Sequence, residues 1–148
     1  MSAKQALTAI EVDPNITLTY IVLGTAYEGK GMYREAISTY EKGIALGSAV
    51  ALQKAFIGHV YGSSGDHAKA WAIIKELIEY SKTHYVPSFN FTIVYDGLGE
   101  KELGIESLQK AYANRDTDIV FIKAWSQLDR IRDDPRFQEI ERQIGLRA

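Results

Sequence analysis

The chain has 148 residues, 46% hydrophobic and 24% charged, with a formal net charge of −2. That composition suits one compact unit with a sizeable core and excludes a disordered chain. Lys and Arg are scattered, so no concentrated basic face points to nucleic acid or an anionic membrane, and there is no cysteine for disulfides, thiolate metal sites or nucleophilic catalysis.

Absence of cysteine fits a reducing, cytoplasmic setting. No apolar run approaches the roughly 20 residues of a membrane helix. The N-terminus MSAKQALTAIEVDP lacks the basic start and apolar core of a signal peptide. A helix is expected within residues 1–16, stopped by Asp13-Pro14.

The next stretch is ambiguous by itself. In GTAYEGKG, Gly24, Gly29 and Lys30 fit the phosphate-loop spacing G-x-x-x-x-G-K, and the preceding TLTYIVL has enough β-branched residues to pass for a strand. Periodicity argues otherwise. Tyr27, Tyr61 and Tyr95 are spaced 34 apart, as are Gly31, Gly65 and Gly99. Leu23, Ile57 and Phe91 form an apolar column, Tyr40, Ile74 and Leu108 another, and Ala36, Ala70 and Gly104 a small one. Small residues suit the closest crossing of two helices, and glycine suits a left-handed helix end. Each period therefore predicts helix, tight turn, helix. The aligned segments GHVYGSSG and TIVYDGLG carry no Gly-Lys pair, and Gly31 stands where a magnesium-binding hydroxyl would follow the lysine. A nucleotide-binding protein remains a remote alternative.

These columns resemble the tetratricopeptide repeat, a 34-residue unit with Leu-Gly, Tyr, Ala and aromatic positions. Residues 17–50 match best, through Tyr20, Leu23-Gly24, Tyr27, Ala36 and Tyr40. Residues 51–84 keep Ile57-Gly58, Tyr61, Gly65 and Ala70 but have Leu77 at a small position. Residues 85–118 keep Tyr95, Gly99, Leu108 and Ala111 but have Thr92 and Gly104 where Gly and Ala are usual. The resemblance implies an all-α fold, a right-handed α-solenoid of antiparallel helix pairs. Residues 1–16 would be a half-repeat helix, and 119–148 a C-terminal cap. A fragment of a longer protein is expected, with a complete small protein as the alternative.

In the cap, Asp134 and Pro135 predict a helix start, Phe137, Ile140 and Ile144 share its apolar face, and Gly145 is the expected stop. The ending LDRIRDDPRFQEIERQIGL is similar to the ends of tetratricopeptide arrays in bacterial and archaeal signalling proteins, where the array is an interaction segment.

The resemblance places the ligand groove along the first helices. Its lining here would be Leu18, Ile21, Val22 and Thr25, then Leu52, Phe56 and His59, then Val86, Phe89, Asn90 and Ile93. Three occupants are open: a protein or peptide segment, a second copy forming a homodimer, or the chain's own C-terminal segment with Phe121, Ile122 and Trp125 as plugs. Chaperone-binding relatives use a cationic clamp, but the corresponding residues are Ile21, Thr25, Phe56, Val86 and Asn90. That disfavours the tail of an Hsp70 or Hsp90 chaperone.

No catalytic, cofactor or metal residues are assigned. His59, His67 and His84 have no metal-ligand spacing, and Ser63-Ser64 has no base placed by a motif. Asp133 and Asp134 read as helix caps, Trp71 as core and Trp125 as cap packing. The expectation is a non-enzymatic interaction scaffold attached to a signalling or regulatory protein, with a self-association module as the alternative.

Overall fold

The computed structural model describes residues 2–147, with side chains through Gly145. Eight α-helices follow in chain order among them: α1 Ala3–Val12, α2 Thr17–Gly29, α3 Tyr33–Ala45, α4 Val50–Ser63, α5 His67–Tyr80, α6 Ser88–Leu98, α7 Lys101–Ala113 and α8 Pro135–Arg147. Two 3₁₀ turns, Thr117–Phe121 and Ser126–Leu128, link α7 to α8. No strand occurs among the described residues.

Local chemistry sets the helix ends. Ser2 and Gln5 form a reciprocal capping box at α1, and Asp13 closes that helix. Asp66 accepts the Lys69 N–H at the start of α5, and Asp134 accepts the Arg136 N–H at 2.8 Å to open α8. Gly31, Gly65 and Gly99 all have positive φ, of 75°, 92° and 74°, so the repeated glycine is the left-handed residue that turns the chain between paired helices.

The pairs α2–α3, α4–α5 and α6–α7 pack closely, and α4 also packs along α6, which places the pairs side by side. Ala36 and Ala70 are fully buried at the pair crossings, and Gly104 is buried in the same register. The strand-like TLTYIVL run is helical because Tyr20, Ile21 and Leu23 are buried there, and burial outweighs a weak local preference. The closest approach is between α4 and α6. A Cβ on Gly62 would strike the Gly97 carbonyl, and one on Gly97 would lie 2.7 Å from the His59 backbone.

Two expectations fail. The last helix does not stop at Gly145 but runs on to Arg147, and Gly145 does not take the left-handed conformation that ends a helix. Trp71 is 37% exposed, not core: its ring lies edge-on to Tyr95 of α6 at 6.0 Å.

Candidate functional site

The inner face is built by α2, α4 and α6, and the chain after α7 folds back along it. Trp125 is the anchor. Its ring meets Phe56 edge-on at 4.9 Å, Phe89 at 6.1 Å and Phe121 at 5.0 Å, while Phe56 stacks on Tyr40 at 5.4 Å. Such aromatic pairs add about 0.5–1.5 kcal/mol each beyond the area they bury. Arg132 ties down the surrounding loop by donating to the carbonyls of Ile122 at 2.9 Å and Trp125 at 2.8 Å, with its guanidinium over the Phe137 ring.

The expected groove residues sort accordingly. Phe56, Phe89 and Ile93 have no exposure, and Ile21, Leu52, His59, Val86 and Asn90 are also buried. Val22 and Thr25 are half-buried, with the Thr25 hydroxyl turned to the Val22 carbonyl of its own helix. Leu18 is 60% exposed, apart from the rest. Of the three expected plugs, Ile122 is buried, Trp125 is half-buried and Phe121 is exposed at the rim.

Beside this aromatic slot lies a polar cluster. Both ring nitrogens of His59 meet carboxylates: Nδ1 is paired with Glu28, and Nε2 lies 2.8 Å from Asp96 Oδ2. All three side chains are buried. Burial alone would lower the His59 pKa, but the hydrogen bonds to Asp96 and Glu28, with their charges, outweigh it and raise it to about 9. The ring is therefore an imidazolium at neutral pH.

The returning chain completes the cluster. Asp96 Oδ1 accepts the Arg130 backbone N–H at 2.9 Å, and Arg130 Nη1 donates to Ser63 Oγ at 3.0 Å and to the Asp96 carbonyl at 3.3 Å. Gln127 Nε2 donates to Glu28 Oε1 at 3.3 Å. A cleft of about 270 Å³ opens over these groups, with Tyr33 and Asp129 at its edge.

Ser63, His59 and Asp96 superficially form a nucleophile, base and orienting acid, with Ser63 Oγ 3.3 Å from His59 Nδ1. The electrostatics do not support that role. A general base must be unprotonated at working pH, whereas His59 carries a proton on each nitrogen and Glu28 occupies the one facing Ser63. The carboxylates lie on opposite sides of the ring, and no His/Cys/Asp/Glu group suited to a metal occurs among the described residues.

Gly24 to Gly29 lies within α2, and Lys30 is its C-cap. Helical backbone N–H groups there are committed to the helix and cannot cradle a phosphate. His84 stacks on Tyr80 at 4.1 Å, and His67 begins α5 at the surface.

Sequence reasoning missed the cluster. A signal was present: Glu28 and Asp96 occupy the same repeat position, 68 residues apart, and Gly62 is the intervening member. The missing side chain at Gly62 lets α4 and α6 close up, and His59 fills the space between the two acids.

Paired helices stacked in register, with an inner face that holds an irregular segment, define a helical-repeat protein. The tetratricopeptide-repeat family model matches residues 18–46. A TPR repeat-containing protein of Methanocaldococcus jannaschii is 35% identical over 57 residues, which is 38% of this chain and 17% of that protein. No solved structure matches. Residues 18–46 thus match a tetratricopeptide repeat, a unit that generally mediates protein–protein interaction, and the chain spans only a small part of the length of that relative. No described helix is long and apolar enough to cross a membrane.

Proposed function

We propose that the chain is an interaction module whose inner groove receives a segment of another protein, within a larger regulatory assembly. One observation carries this reading: Trp125 sits in a slot made by Phe56 and Phe89, so the α2/α4/α6 face already accommodates a non-helical stretch of chain. In this reading residues 117–131 occupy the groove at rest and a partner displaces them.

Peptides selected from a random display library on the full chain test it. They are expected to slow amide exchange in α2, α4 and α6 and to speed it across 117–131. Protection confined to α3, α5 and α7 overturns the reading.

Self-association is the second reading, favoured by Leu7, Val12, Ile16 and Leu18, all exposed on α1, α2 and their junction. Light scattering over a dilution series decides it, because a concentration-independent monomer removes it.

A further inference from the structure

The segment covering the groove also describes what the groove selects. It runs as two 3₁₀ turns joined by single-turn hydrogen bonds rather than as an α-helix, and 3₁₀ geometry holds less firmly. Val120 and Phe121 remain exposed on it. Ile119, Ile122 and Ile131 anchor it in the core, and three further groups meet the groove itself. Trp125 enters the aromatic slot, Leu128 is fully buried, and Arg130 meets Asp96 through both its backbone N–H and its guanidinium. Each of these contacts could equally be supplied by a separate chain.

Charge defines the complement further. Glu28, Asp96 and Asp129 line the polar cleft with His59 and Arg130. Once the segment withdraws, taking Asp129 and Arg130 with it, the carboxylates of Glu28 and Asp96 face one imidazolium, so the vacated floor favours an incoming cation over an acidic tail.

Resting on the groove reading above, we propose that the partner segment carries an aromatic residue, an aliphatic residue three positions later and an arginine or lysine five positions after the aromatic. Residues 125–131 are then its tethered competitor. A tethered segment acts at an effective concentration on the order of millimolar, so the partner's apparent affinity is reduced by the closed fraction and recovers when the tether's own anchors are weakened.

The experiment uses the full chain and a fluorescein-labelled synthetic peptide of residues 116–134, read by anisotropy. Wild type is compared with Arg130→Ala and Trp125→Ala, each confirmed helical by circular dichroism. The peptide is expected to bind R130A at least tenfold more tightly than wild type, because it restores the missing guanidinium. On that variant, a peptide with Trp125→Ala, or with Arg130→Glu, is expected to bind at least tenfold more weakly. Equal uptake of all three peptides overturns the pattern while leaving the groove as a docking site. No uptake by any folded variant overturns both. A variant that dimerises and excludes the peptide gives the groove to a second copy and overturns the assignment to another protein. Should W125A fail to fold, R130A decides, since the Arg130 side chain is 46% exposed and its removal leaves the aromatic slot intact.

Discussion

The two halves of the groove meet the same returning segment by opposite means. The aromatic half, Tyr40, Phe56, Phe89 and Trp125, excludes water with rings whose attraction is only loosely directional. The polar half buries the charges of Glu28, His59 and Asp96, which are tolerable only when every partner is in place, with the half-exposed Arg130 at its edge. Rings set how strongly a segment is held, whereas charges set its register. The contrast predicts that the polar half is the more sensitive to pH, because the Phe and Trp rings of the other half carry no titratable group.

The largest effect is expected in the aromatic half. Phe56 is fully buried between Tyr40 and Trp125, so Phe56→Ala leaves a cavity no neighbour can fill and is expected to cost about 3–5 kcal/mol in urea unfolding. A loss below about 1 kcal/mol would mean that the rings collapse freely and that the slot is not tightly packed.

In the polar half, pH is the probe. The His59 pKa is raised from 6.5 to about 9 in the folded chain. Its contribution is therefore fully present below pH 6.5 and is lost as pH rises through about 9. The gap corresponds to about 3 kcal/mol, expected as a fall in unfolding free energy between pH 6 and pH 10. A His59→Gln variant should lack this slope while being less stable at pH 6, because it leaves two buried carboxylates without a cation. An unchanged slope in that variant would remove His59 as the titrating group.

A smaller effect tests what lets the polar half exist. Gly62 and Gly97 bring α4 and α6 together backbone to backbone, and Gly62→Ala would push them apart beside His59 and Asp96. A loss of about 1–3 kcal/mol is expected, as for an overpacked core. It should be accompanied by a lower His59 pKa in NMR titration as the Asp96 hydrogen bond lengthens. Full stability with an unchanged titration would show that the helices need not be so close.

The parts legible in the sequence are those that recur. Columns of Tyr, Gly and small residues at a spacing of 34 announce paired helices because each repeat meets its neighbours in the same way. The cap does not recur. Its path is fixed by long-range bonds such as Gln127 to Glu28 and Arg130 to Asp96, which no local pattern encodes. Gly145 illustrates the converse: glycine permits a helix end without requiring one, and α8 continues past it. His59 looks unremarkable in linear sequence because its partners lie one repeat away on either side.

The smallest expected effect falls on the border between the halves. The Tyr40 ring stacks on Phe56, yet its buried hydroxyl has no hydrogen-bond partner among the described residues. Burial, and then the charge of Glu28, raise its pKa well above 10.0, so it stays neutral throughout the range in which His59 titrates. Tyr40→Phe keeps the stacked ring and deletes a polar group that gains nothing from burial. Stability is expected to be unchanged or to rise by up to about 1 kcal/mol, with the pH slope from His59 intact. A loss of more than about 1 kcal/mol would place Tyr40 in the polar network, and the boundary between ring packing and charge pairing would then run through Phe56 instead.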